Sequence, residues 1–428
     1  MSWLLGLGLL FLLIFAGVPI AVAMGLVGLI GTASILGIEP ALFLIGGVYF
    51  DSGRNYTLSV VPLFILMGNL IIMSGIATEL YASAHAWMRH KRGGLAMATI
   101  VAAGGFASVC GSSLATTATL AKISLPEMRK YGYSNRLAGA SVAAGGTLGI
   151  LIPPSVILIL YGIMTQEHIG KLFLAGLVPG LLGVFFYLGA VRFSLIISDE
   201  TLEAQDKLPL RDRIRSLRGV FLTLLLFLFV LGGIYLNVFT ATEAAGMGAA
   251  GAFIITALRG KLAMNDTLRM LFDTAKTTAV MFLILFGAMA FLNFVNLSGL
   301  TTDLRNFVSA IGASPYAVII AILLIYLVLG CLLESLSMIL LTVPIFYPLV
   351  TAMGFDGIWF GIVVVVATEL SFITPPVGMN IFVLRATAPD VPLSSVYRGI
   401  LPFVGADIVR LTLIVAIPGL VSLFGLLY

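Results

Sequence analysis

GGTLGILIPPSVILILY, from Gly145 to Tyr161, and ATELSFITPPVGMNIFVL, from Ala367 to Leu384, each set a proline pair in the middle of an apolar run. Proline has no amide proton and clashes with the preceding turn, so it stops or kinks a helix. The residue before it is pushed to extended geometry as well. Lipid cannot hydrate the freed carbonyls, so such a break survives only where protein or a water-filled site surrounds it. Each break offers two electrostatic ends. The half-helix ending near Gly149 or Ser371 presents carbonyls suited to a cation. The half-helix starting at Pro153 or Pro375 presents free amides suited to an anion, with Thr374 placed to cap the second start. A packing kink is the plainer account of one proline pair alone. Two at matched positions favour a binding site.

Composition decides the class. The chain has 428 residues, 60% hydrophobic and 10% charged, against about 25% charged in an average soluble domain. At about 20 residues per crossing, the apolar content allows ten to twelve membrane spans. The 47 glycines suit close helix approach in lipid. The formal net charge of +4 sits in short loops and reads as a topology signal rather than a nucleic-acid surface. Cys110 and Cys331 lie far apart in apolar segments, which argues against a disulfide or metal pair. No Lys or Arg precedes Arg54, so the basic start of a cleaved signal peptide is missing and the first apolar run is expected to be retained. The apolar end at Leu427 and Tyr428 leaves no tail for a soluble domain.

In chain order, Gly17-Val18-Pro19 divides the run from Trp3 to Gly37 into two helices. Glu39 to Thr57 reads as a looser connection, Leu58 to Ser74 as a span, and Ile76 to His90 as an amphipathic interfacial helix ending in a cytoplasmic basic cluster. Residues 93–133 form a hairpin with the polar tip Cys110 to Thr117, and residues 134–163 a broken helix. Polar residues at the tip favour a hairpin that turns back inside the membrane. Residues 201–218 are expected as a cytoplasmic linker whose charges form a solvated face.

The second half, residues 219–428, repeats the plan of residues 1–200. An offset of 222 carries Ser113, Pro126, Gly132, Pro153 and Pro154 onto Ser335, Pro348, Gly354, Pro375 and Pro376. Met24-Gly25 and Gly28 find Met247-Gly248 and Gly251 one residue further on. Shared order of this kind marks an internal repeat. Its hairpin falls at about 314–355 and its broken helix at about 357–386. Arg89, Lys91, Arg92, Arg129 and Lys130 bracket the first hairpin, whereas Asn306 to Leu384 contains no Lys or Arg. The first hairpin therefore opens to the cytoplasm and the second to the outside. The expected fold is an all-α polytopic membrane protein of two inverted repeats, each with a re-entrant hairpin and a broken helix, as in secondary transporters.

Differences between the copies point to chemistry. Ser112 corresponds to Glu334, Thr147 to Glu369 and Gly149 to Ser371. Intramembrane carboxylates are costly and face a partner or water, so Glu334 and Glu369 are candidates for cation coordination or a proton relay. A structural carboxylate bonded across the tip is the alternative. Asp273 with Lys276, and Asp407 with Arg410, are three apart on helices and read as self-neutralising pairs. Lys122 reads as snorkelling to the interface, and His85, His90 and His168 lie near interfaces. Enzyme readings find little support. Gly170-Lys171 and Gly260-Lys261 lack the upstream glycine of a phosphate loop. No histidine stands mid-span as a base for a buried serine.

GSSLATTATLAKISLPEMRKYGY, from Gly111 to Tyr133, followed by GGTLGILIPPS, from Gly145 to Ser155, resembles the large membrane subunit of TRAP transporters, the DctM-like family. The resemblance covers essentially the whole chain. It implies a sodium-coupled importer of a small organic anion in the bacterial inner membrane, with no cofactor beyond the coupling ions and no enzymatic activity. It implies a small four-helix membrane subunit and a periplasmic binding protein as partners, and an elevator mechanism. It places one sodium site near Ser112, Ser113, Gly145, Thr147 and Gly149, and another near Glu334, Ser335, Ser337, Glu369, Ser371 and Thr374. Substrate is expected at Thr116, Pro153, Pro154, Ser155, Pro375 and Pro376. The tip wording differs from sialate-type members, so sialic acid is not assumed. A stand-alone sodium-dicarboxylate symporter, and more remotely a membrane enzyme or channel, remain the alternatives. Inward movement of an anion against a negative-inside potential costs about 2.3 kcal/mol per charge per 100 mV, so cotransported cations must outnumber the substrate's charges. No buried arginine is evident at either break to hold the anion. Arg385 lies nine residues past Pro376, about 13 Å along a helix.

Overall fold

Gly17, in the left-handed region at φ +85°, and Pro19 end the first helix where the sequence predicts, giving α1 (Trp3–Phe15) and α2 (Ile20–Leu36). The computed structural model describes residues 1–198 and 202–422. The boundary expected at 200 and 201, and the apolar end at Leu427 and Tyr428, lie outside the described residues. The segment read as a loose connection is instead a helix, α3 (Ile38–Arg54), followed by a 3-10 turn over Tyr56–Ser59. Its buried Ala41, Ile45 and Ser52 stand four and seven apart, a helical face too sparse to stand out among exposed neighbours.

The remainder of the first half is α4 (Val60–Met73), α5 (Ile76–Met88), the hairpin arms α6 (Gly94–Cys110) and α7 (Ser113–Lys130), the half-helices α8 (Asn135–Thr147) and α9 (Val156–Thr165), and α10 (Ile169–Ile197). After a short linker helix, α11 (Leu210–Ser216), the second half follows as α12 (Arg218–Tyr235), α13 (Ala241–Leu258), α14 (Met264–Leu297) and α15 (Leu300–Ala310). Its hairpin arms are α16 (Pro315–Leu329) and α17 (Ser335–Ala352), its half-helices α18 (Gly357–Ser371) and α19 (Met379–Thr387), and α20 (Leu393–Ala416) and α21 (Gly419–Ser422) close the described chain. Ser113 and Ser335, 222 residues apart (335 minus 113), open equivalent hairpin arms of 18 residues each. Seven described helices are long and apolar enough to cross a bilayer, and six more are apolar but only 10–17 residues long.

The halves exchange partners. α2 packs along α14, and its repeat equivalent α13 packs along α4, which corresponds to the later part of α14. Glycine sets the first of these crossings. A Cβ on Gly28 would lie 2.5 Å from the backbone carbon of Ala290, and one on Gly287 would strike the carbonyl of Ala21. Gly28→Val should therefore destabilise the protein by about 1–3 kcal/mol through overpacking, read as a lower unfolding midpoint in detergent. An unchanged midpoint would show that the crossing is looser than drawn. Elsewhere α20 packs on α8, and α10 on α18. α7 meets α19, and α17 meets α9, so each hairpin rests on the far half of the other repeat's broken helix.

On the basic side, Arg259 pairs with Glu79 at 2.7 Å, and Arg129 with Asp390 at 2.5 Å. The Arg129 hydrogen bond holds the Asp390 carboxyl below the usual range. The linker is not simply a solvated face. Arg213 is buried, lies 5.7 Å from the centroid of the Trp87 ring, and donates to the carbonyl of Leu208 at 3.0 Å. Ser83 donates to the carbonyl of Ser216 and Trp87 to that of Arg213, which docks the linker on α5. A flat aromatic face accepts a guanidinium out of water, and sequence spacing does not reveal that pairing.

Candidate binding site between the hairpin tips

The two hairpins enter from opposite sides and stop at the same place. Ser112 and Ser113 of the first tip and Glu334 and Ser335 of the second line one cavity of about 520 Å³, closed on the other side by α4 and α14. A hairpin that ends inside the protein needs polar groups there, and the tip residues supply them. Ser112 caps α7 by accepting from the amide of Ala115 at 3.4 Å. Glu334 sits at the same cap position of α17, makes no capping bond, and accepts from Ser337 Oγ at 3.4 Å.

Behind the first tip lies an oxygen-lined cleft against the end of α8. A Cβ on Gly149 would stand 3.1 Å from Thr116 Oγ1, 3.2 Å from the carbonyl of Gly146 and 3.3 Å from that of Ser112. One on Gly146 would stand 3.1 Å from the carbonyl of Ser113 and would collide with Thr117 Oγ1. Thr116 and Thr117 are fully buried; the Thr116 hydroxyl bonds to the Cys110 thiol, and the Thr117 hydroxyl has no hydrogen-bond partner among the described residues. Asn380 closes the cleft from the other repeat. Its Oδ1 accepts from Ser113 Oγ at 2.9 Å, and its Nδ2 donates to the carbonyl of Ala143 at 3.0 Å. Carbonyls and hydroxyls without charge are the donor set of a hard monovalent cation, so these residues fit sodium chemically.

Other residues expected at the cation sites lie elsewhere. Gly145 faces α6, where a Cβ would press on Ala103. One step along a helix turns a residue by about 100°, so Gly145 and Gly146 look in different directions. Thr147 Oγ1 bonds to Tyr187 OH at 2.9 Å, and Tyr187 OH donates to Asp407 Oδ2 at 2.5 Å. Arg410 Nη2 contacts Asp407 Oδ1 at 3.0 Å and Glu369 Oε2 at 2.5 Å, with all three side chains essentially inaccessible. Thr147 and Glu369, equivalent in the two repeats, thus enter one dry network rather than two separate sites. Asp407 and Arg410 are more than the local pair expected, and a buried arginine does stand at the second break. Ser371 donates to the carbonyl of Thr368 at 2.7 Å and Thr374 to that of Leu370 at 2.6 Å, so Thr374 does not cap α19.

The expected substrate residues divide in the same way. Pro154 lines the cavity, while Pro153 is buried beside it and Thr116 faces the cleft. Neither proline pair opens a helix: Ser155 caps α9, its Oγ accepting from Leu158 and donating to the carbonyl of Ile150, and α19 begins only after Gly378. Both pairs are joined by cis peptide bonds. Pro375 and Pro376 are exposed, and Tyr397 donates to the carbonyl of Pro376 at 2.9 Å. Asp273 and Lys276 are not an ion pair: both are exposed, and both line the cavity. Asn380 and Lys276 were legible only as polar residues in apolar helices, without a hint of what they face.

Two inverted repeats whose hairpin tips meet at one internal cavity, lined also by the first broken helix at Pro154, Val156 and Ile157, follow the plan of discontinuous-helix transporters. Over residues 7–420 the chain matches the family described as the tripartite ATP-independent periplasmic transporter, DctM component, and it belongs to that family. It is 35% identical over 393 residues to the C4-dicarboxylate TRAP transporter large permease protein DctM of Pseudomonas aeruginosa, covering 91% of each chain. It is 32% identical over 410 residues to the sialic acid TRAP transporter large permease protein SiaM of Vibrio cholerae, covering 95% of this chain and 94% of that one. The isethionate TRAP transporter permease protein DctMQ of Oleidesulfovibrio alaskensis is 30% identical over 417 residues, 96% of this chain and 65% of that one. In fold, the Alcanivorax borkumensis YdaH transporter superposes with a TM-score of 0.62 at 14% identity, over 90% of this chain and 89% of that one. Neisseria gonorrhoeae MtrF gives 0.60 at 13%, over 89% and 84%. The chain is a multi-pass membrane permease subunit, not an enzyme.

Proposed function

We propose that this chain is the permease through which a TRAP system imports a small organic anion across the bacterial inner membrane, with a small membrane subunit and a periplasmic binding protein as partners and sodium as the coupling ion. The observation that carries the reading is the shared cavity: both hairpin tips reach it, and the oxygen-lined cleft at Thr116, Thr117 and Asn380 lies directly behind one of them. A cation in that cleft draws the first tip onto α8 and so couples ion binding to the shape of the cavity. Glu334 and Ser335 are the counterpart at the second tip, where the carboxylate supplies the charge. The hairpins and broken helices form the moving body of an elevator, and α2, α4, α13 and α14, interlocked across the repeats, form the fixed frame.

The test is uptake by proteoliposomes holding this chain and its small partner, supplied with binding protein and candidate acids. Uptake is expected only with both an inward sodium gradient and the binding protein. Uptake that ignores the binding protein would instead indicate a stand-alone symporter, and uptake that ignores sodium would remove the coupling assignment.

A further inference from the structure

Asp273 and Lys276 lie three residues apart on α14, on neighbouring positions of one helix face. That spacing allows mutual neutralisation, yet neither makes an ion pair with the other or with any described residue. Between them Thr274 accepts from Asn69 Nδ2 at 2.8 Å, which fixes this turn of α14 against α4. Both side chains are exposed into the cavity that the hairpin tips close from the other side. Lys276 is the one Lys or Arg among the described residues lining it, and Asp273 and Glu334 are the carboxylates. An ammonium and a carboxylate that stand apart on a membrane-spanning helix and face a cavity can each meet a group of a ligand there.

The charge balance narrows that ligand. One ammonium faces two carboxylates, and a sodium ion held at Glu334 would cancel one of these. Among the groups that line the cavity itself a dianion would then find Lys276 alone and would press its second charge against Asp273, where like charges repel. A single anionic group is matched by Lys276. Asp273, an acceptor when ionised, calls for a donor on the same molecule.

We propose that Lys276 and Asp273 form a two-point substrate subsite: Lys276 holds the one carboxylate or sulfonate of the substrate, and Asp273 accepts from a hydroxyl or ammonium group elsewhere on it. The substrate is thus a small monoanionic acid that carries a hydrogen-bond donor, not a simple dicarboxylate. This rests on the cavity being the substrate site, which its volume of about 520 Å³ permits.

Ala115, exposed at the first tip, also lines the cavity, and Ala115→Cys supplies a thiol that reports on its occupation. In a Cys110→Ser and Cys331→Ser background that thiol is the chain's one cysteine. The rate at which a charged thiol reagent modifies it is measured on the chain purified with its small subunit, in sodium, with propionate, succinate, gluconate or taurine added. Gluconate or taurine is expected to slow labelling about tenfold at about ten times its half-protecting concentration. Which of the two protects tells a hydroxyl from an ammonium donor. Lys276→Met should raise the half-protecting concentration at least about tenfold, as loss of a charge-assisted contact does, and Lys276→Arg should restore most of the protection. Asp273→Asn should erase the preference over propionate. Equal or better protection by succinate, or protection that survives Lys276→Met, would overturn the subsite while leaving the cavity as the substrate site. Labelling that no acid slows would overturn the reading of the cavity and the subsite with it.

Discussion

Replacing Arg410 with methionine should destabilise the protein by about 3–5 kcal/mol, because it strands two buried carboxylates without a cation. Glu369 and Asp407 both contact Arg410 Nη2, and none of the three side chains reaches solvent. The network also ties four elements together: Thr147 of α8, Tyr187 of α10, Glu369 of α18 and the pair on α20. A large drop in the thermal unfolding midpoint of the purified complex is the expected readout. Removing the whole set of charges at once with apolar side chains, Arg410→Met, Glu369→Leu and Asp407→Leu, should recover most of the loss, since an apolar replacement of a buried ion network is often close to neutral. A single Arg410→Met variant as stable as the parent would show that the cluster does not carry these charges. Glu369→Gln alone still offers an acceptor to Arg410 and is expected to leave the sodium dependence of uptake unchanged. Loss of that dependence in a folded variant would return Glu369 to the ion path.

The second large effect is expected at Asn380. Leucine there leaves the Ser113 hydroxyl and the Ala143 carbonyl without their present partner, and a buried polar group without a partner costs about 1–3 kcal/mol. The cleft that Asn380 closes would lose its shape. The sodium concentration for half-maximal uptake should rise at least about tenfold, which corresponds to about 1.4 kcal/mol of cation affinity. Ser113→Ala should act in the same direction with a smaller effect, because it removes one hydroxyl and leaves the bond from Asn380 to α8 in place. An Asn380→Leu variant with the sodium dependence of the parent would exclude this cleft as the coupling site.

Much of the architecture is written in the order of residues. Pro153-Pro154 and Pro375-Pro376, the polar hairpin tips and the loop arginines and lysines determine the broken helices, the internal repeat and its inversion, because these are local backbone and interface effects. The mix of polar and apolar residues also places α5, and Gly17 and Pro19 separate α1 from α2. Which side chains meet is another matter, because two packed repeats bring together residues more than 200 positions apart. Ser113 finds Asn380 rather than a group in its own half, and Thr147 joins Glu369 through Tyr187, Asp407 and Arg410. A spacing of three made Asp273 and Lys276 look self-sufficient, whereas the packing of α14 against α4 and the hairpin tips leaves them facing an open cavity. The sequence by itself thus determined where the helices break and which way each half points. Only the tertiary structure decided which oxygens and charges converge, because convergence depends on the direction each side chain takes from its helix and on which helix lies opposite.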